Sequence, residues 1–197
     1  MKGKSLFVYI LLVLFMSSCE DNIEQDKVYN FIGDSIIARW PIGETFPSQL
    51  VYNYGKSGAG IEYLNNYCHS FDGQDVVVMI GTNDNHLFAE DNVDEYITNY
   101  LSLISMLTDE NIYLFSVLPR EFKNDSSTIN YYISNINAGI KNNVSNYPNI
   151  TYIDVYKEFM NNGHINYQYY SDGLHLNIYG YEILSSYLLR FIKNKYL

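Results

Sequence analysis

The stretch SDGLHLN sets Asp172 three residues before His175, with Gly173 between them, towards the far end of a 197-residue chain. On a turn, a carboxylate at that spacing is close enough to accept a ring N–H from the histidine, and imidazole is the side chain best matched to move a proton near neutral pH. Far upstream, FIGDSI carries Ser35 behind Gly33 and Asp34. A serine hydroxyl is a poor nucleophile until a base takes its proton. NYGKSGAG surrounds Gly58 with residues whose backbone amides can approach a ligand closely, and IGTND carries Asn83 and Asp84. Each stretch also has an ordinary reading. Asp34 or Ser35 caps a helix, the glycines make a turn, Asn83 and Asp84 are common turn residues, and Asp172 and His175 sit on a polar turn before a last helix.

The elements that must position these residues are legible as alternating patterns. VYNFI (28–32), LVYNY (50–54), DVVVMI (75–80), IYLFSVL (112–118) and ITYIDV (150–155) are rich in β-branched and aromatic residues, and two are apolar almost throughout. Strands apolar on both faces belong in a parallel sheet covered on each side. Between them, Val93, Tyr96, Ile97, Tyr100, Leu101, Ile104 and Leu107 recur at helical spacing, as do Ile129, Tyr132, Ile133, Ile136, Ile140 and Val144. A last helix is expected after Asn177, with Leu184, Leu188, Phe191 and Ile192 facing inward. Such alternation implies right-handed crossovers and a three-layer α/β/α sandwich around a five-stranded parallel sheet. Ligands of such sheets bind beyond the carboxyl ends of the strands. Ser35, Gly58 and Asn83 follow the first three strands, so all three fall at that rim.

With four motifs in this order, GDSI, NYGKSG, GTND and DGLHLN, the chain resembles the SGNH (GDSL-type) hydrolases from about Val28 to the last helix. The usual GDSL is GDSI here, a conservative change after the serine. The resemblance implies a flavodoxin-like sheet, with Ser35 as nucleophile, His175 as its base and Asp172 orienting the imidazole. It also implies an oxyanion hole made by the backbone N–H groups of Ser35 and Gly58 and the side-chain amide of Asn83. Preorganised donors of this kind are needed where charge develops on the attacked carbonyl.

Arg39 and Trp40 follow Ser35 by about one helical turn, and His86 follows Asn83; these three are candidates for lining a substrate pocket. The ordinary alternatives are a solvated arginine, a packed tryptophan and a surface histidine. Asp34 and Asp84 are read as ties between strand-end loops. His69 and His164 are placed in loops, and Cys68 is expected to be a buried, inert thiol. Asp154, His164, Asp172 and His175 have no recognisable metal-ligand spacing, so no metal and no cofactor are expected.

The first residues place Lys2 and Lys4 before an apolar run from Leu6 to Met16, and then MSSC. This has the layout of a secretory signal, and MSSC resembles a bacterial lipobox whose Cys19 would carry lipid. Residues 1–19 are therefore read as signal, 20–27 as an acidic tether and 28–197 as one hydrolase domain, exported and anchored to a bacterial envelope membrane. The formal charge of −10 becomes more negative once Lys2 and Lys4 are removed, and no basic stripe offsets it, so nucleic acid is excluded as a partner. The expected activity is hydrolysis of short acyl esters, acetyl-like, on a carbohydrate or similar polar substrate. An acyltransferase using the same serine, or a glycan- or partner-binding lipoprotein without catalysis, are the alternatives.

Overall fold

A computed structural model describes residues 27–84 and 93–193, so the signal segment with Cys19 and the candidate His86 lie outside the described residues. The elements are β1 (Val28–Gly33), α1 (Ser35–Arg39), α2 (Ile42–Thr45), β2 (Leu50–Gly55), β3 (Asp75–Met79), α3 (Val93–Ser105), β4 (Ile112–Phe115), α4 (Ile129–Asn143), β5 (Ile150–Ile153), a small hairpin of β6 (Met160–Asn161) and β7 (His164–Ile165), and α5 (Ile178–Lys193). Among the described residues, β1 to β5 make one five-stranded sheet in the order β2-β1-β3-β4-β5. Every neighbouring pair in it is parallel. This is the flavodoxin-like order, and its switch point lies between β1 and β3.

The alternation of side chains along a strand divides the core in two. Val76 and Val78 of β3 pack with Ile112 and Leu114 of β4 against α3 and α4. Val77 and Met79, with Tyr113 and Phe115, face the other way against α1, α2 and α5. Both faces of the central strands are thus dry, which is why β3 is apolar throughout from Val76 to Met79. β2 is different because it is the edge strand, and Leu50 and Tyr52 are exposed.

Several sequence expectations are corrected. The run 112–118 stops being strand at Phe115, because the Val117 N–H leaves the ladder and donates to Asn137 Oδ1 at 2.9 Å. The run 150–155 likewise ends at Ile153. In α5, Tyr181, Leu184, Leu188 and Ile192 are buried, whereas Phe191, at the margin of that stripe in the last turn, is 38 % exposed. Cys68 is exposed, because the 3₁₀ segment Ile61–Tyr67 turns Ile61 and Leu64 inward and the chain leaves the core before residue 68. His164 belongs to β7 and not to a loop. No helix of the described residues is long and apolar enough to cross a membrane.

Candidate active site

β1 delivers Ser35 to the rim in a constrained way. A Cβ on Gly33 would collide with the Met79 carbonyl, so the chain passes flush against β3 before turning. Asp34 then caps α1 by accepting the Ile36 N–H at 2.8 Å. Its carboxyl is only 1 % exposed. Burial, with the nearby Asp84 charge, pushes it up to about 7, against the Ile36 and Thr82 N–H groups and the Arg120 charge. The Ser35 hydroxyl forms no hydrogen bond among the described residues. Ser35 itself is 4 % exposed.

The two loops beside Ser35 are tied to one another. Asp84 Oδ2 accepts the Ile61 N–H at 3.0 Å and the Tyr96 hydroxyl at 3.1 Å. Asn83 donates one N–H to the Ala59 carbonyl at 2.9 Å, leaving the second N–H of its amide for another acceptor. Gly58 has φ of +79°, and among the described residues, its chain neighbours aside, no atom lies within 4 Å of a Cβ placed on it. Its backbone conformation, and not crowding by protein, therefore calls for glycine here.

The 171–177 segment is built differently, from local bonds. Asp172 Oδ1 accepts the N–H groups of Leu174 at 3.0 Å and His175 at 2.7 Å. Its Oδ2 lies 2.7 Å from His175 Nδ1. Partial burial raises the Asp172 carboxyl, but the bonds from the His175 ring and backbone and from Leu174 outweigh it and bring it to about 2. An ionised carboxylate can only accept, so Nδ1 must carry the hydrogen, and the neutral ring presents Nε2 as an acceptor.

Between the two sides runs Pro119–Phe122. The Glu121 N–H donates to the Gly173 carbonyl at 2.8 Å, and the Tyr170 hydroxyl donates to the Pro119 carbonyl at 2.7 Å. The Phe122 ring meets His175 edge-on at 6.4 Å. Arg120 donates from Nη1 to the Thr82 carbonyl at 2.8 Å. One small cavity is lined by Asp34 and Ile36, which flank Ser35, and by Thr82, Pro119 and Leu174, which precedes His175. Ser35, Gly58 and Asn83 thus follow the first three strands at this rim, and the Asp172–His175 segment is joined to the Pro119–Phe122 run that also reaches Thr82.

The other candidates fall elsewhere. Trp40, 2 % exposed, is core: its Nε1 donates to Ser185 Oγ at 3.1 Å and its ring packs on Phe31, Phe115 and Tyr181. It cannot line a pocket, because the chain turns at the end of α1 and points it beneath α5. Arg39 is exposed in the last turn of α1. Asp84 acts as the loop tie expected of it, whereas Asp34 caps α1 and also accepts the Thr82 N–H. His69 pairs with Asp72 and His164 with Glu121. Among the described residues no group of three His, Cys, Asp or Glu is placed to hold a metal ion. Sequence reasoning missed Arg120, Glu121 and Phe122. Their one signal was position, since LPREF follows the fourth strand at the same rim.

A profile of the GDSL-like lipase/acylhydrolase family matches residues 31–183. No curated protein matches the chain. Among solved structures, a protein of Streptococcus pneumonia provisionally described as a platelet activating factor is 28 % identical with a TM-score of 0.67, covering 86 % of each chain. A GDSL-like lipase of Bacteroides thetaiotaomicron is 22 % identical with a TM-score of 0.71, covering 88 % of this chain and 91 % of that one. An acetylxylan esterase of Geobacillus stearothermophilus is 17 % identical with a TM-score of 0.58, covering 83 % and 93 %. The last two likenesses speak to the fold alone.

Proposed function

The chain belongs to the GDSL-like lipase/acylhydrolase family, and from that premise we propose that it is a serine esterase whose acyl-enzyme forms on Ser35. His175 Nε2 takes the Ser35 proton as Oγ attacks the ester carbonyl. The carbonyl oxygen becomes an oxyanion held by the N–H groups of Ser35 and Gly58 and the free N–H of Asn83. Collapse breaks the ester C–O bond, and His175 returns the proton to the departing alcohol. Water, deprotonated by the same imidazole, then releases the acid and frees Ser35. The single observation carrying this reading is the 2.7 Å contact of His175 Nδ1 with Asp172 Oδ2, which leaves Nε2 as the basic nitrogen at the rim where Ser35 lies.

The substrate is a short acyl ester, acetyl-like, on a carbohydrate or similar polar alcohol. Support comes from the acetylxylan esterase among the fold neighbours and from Tyr167, an exposed ring whose hydroxyl is anchored on Glu121 at 2.7 Å beside the His175 segment. The protein without residues 1–19 should be labelled by a fluorophosphonate probe and release acetate from acetylated sugars, and Ser35→Ala should do neither. A wild type inert to the probe sinks the serine mechanism; faster cleavage of long-chain esters sinks the short-acyl preference.

The domain is further proposed to be tethered to an envelope membrane through lipid on Cys19, on the strength of the MSSC stretch alone. Metabolic labelling with a fatty acid in a bacterial host should mark the full chain and not Cys19→Ser; equal labelling of both would refute the anchor.

A further inference from the structure

Arg120 and Asp125 form a buried ion pair, their side chains 9 % and 8 % exposed. Arg120 Nε lies 2.9 Å from Asp125 Oδ2 and Nη2 lies 2.8 Å from Oδ1, a two-pronged match that only a guanidinium makes. Asp125 Oδ2 also accepts the Phe122 N–H at 2.6 Å. The Arg120 backbone is held at both ends by Asn130, which accepts its N–H at 2.8 Å and donates to its carbonyl at 2.9 Å. Burying such a pair is roughly neutral for stability compared with apolar side chains of similar size, so it is a costly way merely to fill space. Its remaining prong, Nη1, reaches the Thr82 carbonyl.

We propose that Arg120, clamped by Asp125, is a positioning residue that aims the Asn83 amide at the oxyanion; this rests on the esterase reading above. The Thr82 carbonyl and the Asn83 N–H share one rigid peptide plane. Fixing that carbonyl fixes the plane, and with it the direction in which the Asn83 side chain leaves the backbone. Asp84 and the Ala59 carbonyl hold the loop from its far side. Arg120 holds it from the side of β4, while the next residue's N–H holds Gly173 of the base segment. A misaimed oxyanion donor costs turnover and leaves substrate binding nearly unchanged, because the contact matures in the transition state.

The test compares wild type, Arg120→Lys, Arg120→Gln, Asp125→Asn, Asn83→Ala and the Arg120→Lys/Asn83→Ala pair on 4-nitrophenyl acetate, with active sites counted by the end point of fluorophosphonate labelling. Arg120→Lys should lower kcat per labelled site by about 10- to 100-fold while KM moves by less than about threefold, and should cost almost nothing further once Asn83 is alanine. A purely structural role would change the number of labelled sites and the Tm but not kcat per site. The proposal is overturned if kcat per site is unchanged, or if Arg120→Lys costs the same factor in the Asn83→Ala background. If Arg120→Gln does not fold, Arg120→Lys and Asp125→Asn decide; failure of those to fold as well would assign the pair to stability and overturn it. A wild type inert to ester and probe alike is a separate outcome, defeating the esterase reading and this proposal with it.

Discussion

The two halves of the candidate site are built by opposite means. The side carrying Ser35, Gly58 and Asn83 is closed by bonds between residues far apart in the chain: Asp84 to Ile61 and Tyr96, Asn83 to Ala59, Arg120 to Thr82. The Asp172–His175 pair is closed within four residues by a single carboxylate that takes three donors, and Glu121 adds one bond from outside, to the Gly173 carbonyl. On the first side Asp34 and Asp84 are buried, and Asp34 is pushed up towards neutrality; Asp172 is 41 % exposed and held down. Donors to an oxyanion must be rigid before the reaction, whereas an imidazole that accepts and returns a proton needs only its tautomer and direction set. Long-range ties suit the first task and a local turn suffices for the second.

The sharpest break of this contrast is Asp172→Asn. An amide can donate to Nδ1 and favour the wrong tautomer, so kcat should fall by up to ~10⁴-fold, while the Tm loss should be small, because the amide oxygen still accepts the Leu174 and His175 N–H groups and only the charged bond to the ring is lost. A large Tm loss would show that the base side is not the self-contained turn described here. Next, Asn83→Ala should lower kcat by ~10²- to 10³-fold with KM little changed; an equal fall spread over KM would move Asn83 from the oxyanion to ground-state binding.

Asp84→Ala probes the buried side through stability. It removes the buried acceptor of the Ile61 N–H and of the Tyr96 hydroxyl, which should cost about 1–3 kcal/mol, read in urea denaturation, and should lower turnover as well because the Asn83 loop loosens. If stability holds and only turnover drops, Asp84 is doing chemistry and not tying loops.

The smallest effect separates the halves by pH. The folded-state pKa of Asp34 lies above its ordinary value of 3.8, at about 7, so the stability it confers is fully present below about pH 4 and is lost as pH rises through 7. Asp172 lies below its ordinary value, at about 2, so its contribution is present above about pH 4 and is lost as pH falls towards 2. Asp34→Asn keeps the Ile36 cap through its amide oxygen and should flatten the decline between pH 4 and 7, as followed by denaturation midpoints. Curves parallel to wild type would mean that Asp34 is not titrating in that range.

Much of this arrangement was legible before any coordinates. The strand runs and helix stripes declared the layered sheet, because a buried strand must be apolar on both faces and a covering helix on one. Asp172 and His175 were legible as a pair because their contact is local, closed by a turn that Gly173 permits at φ of +83°. Ser35, Gly58 and Asn83 were legible as a set only through their common place after three strands and through a family resemblance. Trp40 misled because its nearness to Ser35 in sequence says nothing about which side of α1 it leaves from; the fold turns it into the core. Cys68 misled because apolar character does not say where a helical segment ends, and Phe191 because it does not say how far round a helix the buried stripe extends.

By itself, the sequence determined what depends on nearest neighbours and period: five strands, their helices, the rim at which they end, and the Asp172–His175 turn. The tertiary structure alone decided that Arg120 reaches Thr82, that Asp84 joins two loops, and that Glu121 is laid against Gly173. Those contacts join residues 23 to 52 positions apart, and no local pattern encodes such a meeting, because it exists only once the strand order has set which loop stands beside which.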